Sequence, residues 1–228
     1  MTDAIRLPDI PDPDLHVMER VYQKWAPIYD ALCGPIFLTG RRAAAAAARQ
    51  VGGRILEIGV GTGLSFDDYD HTTEITGIDI SEPMITRARE RLASGKYPFV
   101  KALHVMVRKL CRSRTKASTA WWRNSSSRWS PIPNRSCPNA RVRVLKPGGQ
   151  IILVNHLYSE RGIAAAIERA TAKHARHLGL RPEFPFARLE AWSRGEGDIE
   201  LIERRKLKPF GVYTLVRFRR GFPRSLAA

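Results

Sequence analysis

The stretch LEIGVGTGLS, residues Leu56–Ser65, decides the fold that this sequence predicts. It overlaps the end of a short apolar run, Arg54–Ile58, that has the length and composition of a β-strand. Its glycines let the chain turn tightly and let a ligand approach the main chain, and they stand at alternate positions, Gly59, Gly61 and Gly63. Dinucleotide-binding folds use the spacing G-x-G-x-x-G instead, and Glu57 ahead of the first glycine favours a cationic ligand over a pyrophosphate. We therefore expect a cofactor site here rather than an ordinary glycine turn.

Strands and helices alternate on both sides of this stretch, which is the pattern of a parallel sheet with crossover helices. The predicted strands are Arg54–Ile58, Glu74–Ile80, Ala102–Met106, Gly149–Leu157, Asp198–Leu207 and Val212–Arg219. The predicted helices are Leu15–Ala26, Ile36–Gln50, Glu82–Ala93 and Arg161–Leu178. We expect an α/β fold in which a mostly parallel sheet ends in an antiparallel closing strand. One domain spans residues 1–228, and residues 1–50 form an N-terminal helical segment.

Length and cysteine content exclude several classes of protein. The 228 residues suffice for one sizeable core, and the three cysteines show neither a CxxC pair nor Cys/His ligand spacing, so no metal site or disulfide framework is predicted. The N-terminus is acidic and broken by proline, and no apolar run has the length of a membrane span. We expect a cytoplasmic protein.

One stretch, residues 107–143, departs from the rest in composition. It carries ten basic residues and no acidic one, although the whole chain has a net charge of only +16, and it holds three of the five tryptophans. With Trp121 and Trp122 as stacking platforms, it could belong to a basic nucleic-acid-binding protein. We interpret it instead as the product of a frameshift that disrupts the fourth strand of the sheet.

The frameshift interpretation rests on codon arithmetic. The shifted frame joins each codon's last base to the first two bases of the next codon. Serine (TCN) and tryptophan (TGG) codons then place T in the middle position, and a codon with a middle T encodes an apolar residue. In that frame Val107–Asn134 can read (D)AEALPFPDESFDGVVAQFVITLVANPE, with an acidic end and an apolar strand, VITLV. The printed chain has seven cations in place of these residues, and we expect it to have weak activity or none.

Three motifs resemble those of class I S-adenosylmethionine-dependent methyltransferases, whose fold is Rossmann-like. They are LEIGVGTG, GIDIS followed by Glu82-Pro83-Met84, and RVLKPGGQIILVNH. The resemblance implies S-adenosylmethionine as cofactor, with the glycines against its methionine part, Glu57 reaching its ammonium group, Asp79 holding its ribose and Met84 near its adenine. The implied cofactor-binding residues are Glu57, Gly59, Gly61, Gly63, Asp79, Ile80 and Met84.

Motifs outside the cofactor site resemble those of bacterial phosphatidylethanolamine N-methyltransferases. They are YQKWAPIYD at Tyr22–Asp30, VNHLYSERG at Val154–Gly162, and the tail ERRKLKPFGVYTLVRFRR. The resemblance implies methylation of phosphatidylethanolamine at the inner face of the membrane. The alternative within enzymes is a quinone-type C-methyltransferase.

Further residues are candidates for catalysis and docking. His156 is the candidate base or headgroup-orienting residue, or it merely caps its strand; Tyr22 and Tyr29 contact the headgroup or cofactor, or they pack between helices. Reversible contact with an anionic membrane is expected through basic residues, and nucleic acid is not expected as a partner. Those basic residues are Arg41, Arg42, Lys173 and Arg176.

Overall fold

The structure, a computed structural model, describes residues 29–105, 118–123, 145–155, 186–208 and 213–222. Its helices are α1 (Tyr29–Val51), α2 (Glu82–Leu92), α3 (Phe186–Glu196) and a 3-10 helix (Leu64–Asp68). Its strands are β1 (Gly53–Ile58), β2 (Thr73–Asp79), β3 (Val100–Val105), β4 (Ser118–Arg123), β5 (Leu145–Asn155), β6 (Ile199–Lys206) and β7 (Thr214–Arg220). The predicted helices Leu15–Ala26 and Arg161–Leu178 lie outside the described residues.

The seven strands in the described part of the chain form one sheet in the order β3-β2-β1-β4-β5-β7-β6. The five strands β1 to β5 pair in parallel, and β7 runs antiparallel to both β5 and β6. The predicted Rossmann-like α/β fold is confirmed, including the antiparallel strand. The strand order reverses between β1 and β4, and open α/β sheets bind ligands at the carboxyl ends of the strands beside such a point.

The fourth strand corrects the expectation of an irregular segment over residues 107–143. Ser118–Arg123 form β4, which pairs in parallel with β1 from Ile55 to Ile58 and also with β5. Backbone hydrogen bonds hold this position, and threonine and tryptophan favour extended backbone. The disruption prediction is therefore wrong for these six residues, while the remainder of 107–143 lies outside the described residues.

Helix α1 covers one face of the sheet through small residues. Its buried alanines Ala44, Ala45, Ala47 and Ala48 pack with Ile55, Ile152 and Val154. A Cβ on Gly40 would stand 2.9 Å from Val154 Cγ1, so the helix approaches β5 closely at that turn. The helix begins at Tyr29, earlier than the predicted Ile36, and contains Pro35.

Helix α3 covers the other face. Its Phe186 and Leu189 pack with residues such as Leu56, Ile78 and Phe218, and Trp192 meets Phe218 edge to face with ring centroids 5.7 Å apart. The sequence analysis missed α3, because Ser193 and Gly195 weaken its helical signal. It also placed the start of β5 at Gly149, four residues late, because the glycines and proline of KPGG are typical of a turn.

Candidate active site

The glycine loop follows β1 directly and is tied to β2. The amides of Gly59 and Val60 donate to the Ile78 carbonyl oxygen at 2.8 and 3.1 Å. The three motif glycines have positive φ angles of 77°, 57° and 80°. Residues other than glycine rarely adopt this conformation. A Cβ on Gly61 would meet no atom within 4 Å, whereas one on Gly63 would stand 2.3 Å from the Phe66 ring. Gly61 therefore borders open space, and Gly63 is required by packing.

Asp79 ends β2 and clamps the loop from the side. Its Oδ2 accepts a hydrogen bond from the Gly61 amide and its Oδ1 one from the Ser81 amide, both at 2.9 Å. The residue is only 9% exposed. A carboxylate oxygen can accept more than one hydrogen bond, which suits a group that is also predicted to bind a ligand hydroxyl. The predicted ribose partner thus also orders the loop, a role that the motif did not indicate.

A buried polar cluster, defined here as Arg41, Glu57, Ser65, Asp68 and Tyr69, lies beneath the loop. Ser65 Oγ donates to Glu57 Oε2 at 2.9 Å, and Arg41 Nε donates to Asp68 Oδ2 at 2.5 Å. The cluster joins α1, β1 and the 3-10 helix. Arg41 was expected to face a membrane; that expectation is wrong, because the residue is 8% exposed and ion-paired.

Burial dominates the electrostatics of this cluster. It raises the pKa of Glu57 from 4.5 to about 8, with a further increase from the Asp68 charge, while the Ser65 hydrogen bond opposes the change. Burial, followed by the nearby Glu57 charge, also raises the pKa of Tyr69 well above its ordinary value. Glu57 therefore carries a proton at neutral pH when folded.

The start of α2 lies beside Asp79. Met84 and Ile85 of its first turn are buried, and Ile80 is half-buried. Ser81 stands at the N-cap, and within the described residues its buried Oγ is without a hydrogen-bond partner. Met84, Ile85 and Ser81 are therefore buried beside Asp79, and Ile80 is the partly exposed side chain among them.

Other predicted residues are not brought into the described site. Tyr22, His156, Lys173 and Arg176 lie outside the described residues, and Tyr29 is described only as the first residue of α1. Arg42 is exposed, with its Nε 3.6 Å from Asp68 Oδ1. In the described ranges, no helix is both long and apolar enough to cross a membrane, and no three metal-ligating side chains converge.

Comparison with known proteins extends this geometry. Residues 55–149 match a family described as "Methyltransferase domain". Over 208 residues, 91% of this chain and 99% of the relative, the chain is 36% identical to the phosphatidylethanolamine N-methyltransferase of Cereibacter sphaeroides.

Two solved structures share the fold at low identity. The [4+2]-cyclase SpnF has a TM-score of 0.68 and 15% identity, with 95% of this chain and 100% of SpnF covered. The apo form of the S-adenosylmethionine-dependent methyltransferase SibL has a TM-score of 0.66 and 16% identity, with 88% of this chain and 62% of SibL covered. These two likenesses establish the fold alone, since one fold hosts many reactions. From the relative that matches nearly end to end, it follows that the chain belongs to the family of the phosphatidylethanolamine N-methyltransferase of Cereibacter sphaeroides and is an S-adenosylmethionine-dependent methyltransferase.

Proposed function

We propose that this enzyme transfers a methyl group from S-adenosylmethionine to the amino headgroup of phosphatidylethanolamine. The observation that carries the proposal is the 36% identity to a phosphatidylethanolamine N-methyltransferase over 91% of this chain and 99% of the relative. Agreement over that length extends beyond the cofactor half, so it includes the acceptor half of the fold.

The residues at the loop fit the proposed cofactor. Gly61 borders open space at φ 57°, which leaves room for a ligand against the backbone. Asp79, at the end of β2 beside the loop, is the carboxylate proposed to accept from the ribose hydroxyls. Ile80 is half-buried and offers an apolar surface suited to an adenine, whereas Met84 is 2% exposed and its contact with the adenine remains a prediction.

Glu57 supports cofactor binding in a different way from the ammonium contact that the motif implies. Its Oε2 accepts from Ser65, and the side chain is 1% exposed in the cluster beneath the loop. We propose that it holds the 3-10 helix against β1, so that the loop keeps its shape. Tyr69 also hydrogen-bonds the Glu57 side chain. The ammonium contact that the motif implies remains a prediction.

The chemistry requires alignment and loss of a proton. When bound, S-adenosylmethionine supplies a methyl group made electrophilic by its sulfonium. A rigid loop that fixes the reactants in line accounts for much of the rate, because it removes the entropy of aligning them. The headgroup amine must be neutral to attack, and His156, which follows Asn155 of β5 in the chain, is the proposed acceptor of its proton.

Transfer of radiolabelled methyl groups tests the substrate. The chain in which Val107–Asn134 is replaced by the shifted-frame sequence should methylate phosphatidylethanolamine in non-ionic detergent micelles and leave a quinone precursor unlabelled. His156→Ala should lower turnover and leave cofactor affinity unchanged. Labelling of the quinone precursor alone would contradict the substrate assignment.

The acceptor lipid determines where the enzyme acts. We propose that it works from the cytoplasm, at the inner membrane face, and binds the bilayer reversibly. Basic side chains attract anionic lipid headgroups over about a Debye length, and salt screens that attraction.

A further inference from the structure

We infer that the carboxyl end of β6 is the surface that docks on an anionic lipid bilayer. This inference rests on the proposed function, because it names the membrane contact of that same reaction. We call the surface the β6 rim and define it as Arg204, Arg205, Lys206 and Lys208. All four residues are exposed.

The strand register puts the β6 rim at the ligand edge of the sheet. Lys206 pairs with Thr214 of β7, and Thr214 pairs with Asn155 at the end of β5. Strand β6 therefore runs parallel to β5 and to β1 and β2, whose ends carry the glycine loop and Asp79. The four basic side chains and the proposed cofactor site share one edge.

The β6 rim also lies on the acceptor's side of that edge. Asp79 and Gly61 hold the proposed cofactor on the half formed by β1 and β2. The acceptor must approach from the other half, in which β4, β5, β7 and β6 follow one another. With strands about 4.8 Å apart, β6 lies about 19 Å from β1. A bilayer at the rim is thus close enough to present a headgroup to the middle of the edge.

Within the described residues, the rim holds more basic than acidic side chains. Arg49 and Lys96 are exposed cations elsewhere on the surface, and each has a carboxylate of another segment within 3.3 Å, that of Asp70 and of Asp67. At the rim the nearby acid is Glu203, which both Arg205 and Arg217 contact. Arg204 lies over the Phe186 ring at 3.9 Å, a contact that keeps its positive charge. The rim therefore carries a net positive charge, complementary to phosphate-bearing headgroups.

Vesicle sedimentation tests the inference on the full chain. At low salt the chain should sediment with vesicles of equal parts phosphatidylethanolamine and phosphatidylglycerol, and high salt should release it. The chain should not sediment with vesicles of phosphatidylethanolamine and phosphatidylcholine. The double variant Lys206→Glu/Lys208→Glu should bind the anionic vesicles at least about tenfold more weakly, since each basic residue near a membrane surface adds roughly fivefold to affinity. The neutral pair Lys206→Gln/Lys208→Gln should weaken binding less.

A matched control separates the rim from overall charge. Arg87→Glu/Lys101→Glu changes the net charge equally, with exposed residues on α2 and at the amino end of β3. It should bind nearly as the parent does, and thermal unfolding should show all variants folded. Equal weakening by both glutamate pairs, or by neither, would overturn the inference. If the Lys206→Glu/Lys208→Glu variant bound duplex DNA more weakly than the parent chain but bound vesicles equally well, the rim would be a nucleic-acid surface, and the inference would be overturned.

Failure of docking and failure of the substrate assignment are distinguishable. Sedimentation measures membrane binding and does not require turnover. Methyl transfer to phosphatidylethanolamine in non-ionic micelles measures substrate use and does not require binding to an anionic bilayer. The micelle assay uses the chain in which Val107–Asn134 is replaced by the shifted-frame sequence. If Lys206→Glu/Lys208→Glu leaves the micelle activity of that chain and the vesicle binding of the printed chain unchanged, the rim is rejected and the proposed function is kept.

Discussion

Asp79 accepts hydrogen bonds from two backbone amides. A control variant that loses an equal charge elsewhere can separate the effect of these bonds on cofactor binding from the effect of the charge. Asp79→Asn replaces one acceptor oxygen with an amide nitrogen that cannot accept, and it releases either Gly61 or Ser81. We expect S-adenosylmethionine affinity, measured by calorimetric titration, to fall about ten- to hundredfold, the value of one or two charge-assisted hydrogen bonds. Asp70→Asn is the control, because Asp70 Oδ1 also accepts from the amide two residues on, that of Thr72. Equal affinities in the two variants would remove Asp79 from the site.

Substitution of Gly61 tests whether the ligand occupies the space beside the loop. Gly61→Ala and Gly95→Ala both put a Cβ at positive φ, 57° and 73°, where no atom lies within 4 Å. Each should destabilise the fold by about 1 kcal/mol through backbone strain. Only Gly61→Ala should also weaken cofactor binding in calorimetry. A similar loss of affinity in the Gly95→Ala chain would mean that strain alone acts.

Glu57 makes stability depend on pH. The folded chain keeps the Glu57 proton up to about pH 8, whereas the unfolded chain loses it above pH 4.5. Between these values folding takes up a proton, so this group lowers the free energy of unfolding by about 1.4 kcal/mol per pH unit as pH rises. In Glu57→Gln that decrease should vanish, as urea denaturation from pH 5 to pH 8 would reveal. Parallel curves for the two chains would contradict the raised pKa.

The pleat of β1 explains what the motif could and could not predict about this residue. Ile55 packs on the α1 side of the sheet and Leu56 on the α3 side, so Glu57 shares the face of Ile55. The glycines and Asp79 were predictable because their roles follow from local spacing. The bond between Arg41 and Asp68, 27 residues apart, depends on how α1 docks, which no local pattern encodes.

At the level of elements, the Arg41–Asp68 ion pair fastens α1 to the 3-10 helix. Both side chains are less than 10% exposed, so Asp68→Asn leaves a buried cation without its partner. We expect a loss of about 3–5 kcal/mol in the free energy of unfolding. Asp67→Asn next to it breaks a contact with Lys96, whose side chain is 67% exposed, and should lose less than about 1 kcal/mol. Equal losses in urea denaturation would show that Asp68 does not fasten the helix.

The elements that sequence patterns located well are those with a regular hydrophobic period. Strands β1, β2, β6 and β7 lie within two residues of their predicted bounds. β4 was missed because its letters, STAWWR, lack the apolar run of a central parallel strand. The backbone pairing with β1 and β5 can form regardless of those letters, and this is why a compositional anomaly did not exclude a strand.

For the whole molecule, the origin of the 107–143 stretch decides how stable the chain is. The shifted reading aligns its letters FDGVVA with Ser118–Arg123, the residues that form β4. A central strand with valines suits the slot between β1 and β5 better than one that ends in arginine, since parallel strands are buried on both faces. The two valines of that reading fall within β4, whereas the apolar strand VITLV of the shifted frame aligns after Arg123, outside the described residues.

Restoring that frame gives the last prediction. The chain with Val107–Asn134 replaced by the shifted-frame sequence should unfold at higher urea concentration, with a gain of at least about 2 kcal/mol, the value of one buried valine side chain. The control changes the seven basic residues of 107–134 to glutamine, which removes the same positive charges as the replacement does without restoring the strand. That control should stay near the stability of the printed chain, because relief of repulsion alone leaves the strand unchanged. Equal stability of all three chains, or a gene sequence without an apolar shifted frame, would reject the frameshift interpretation.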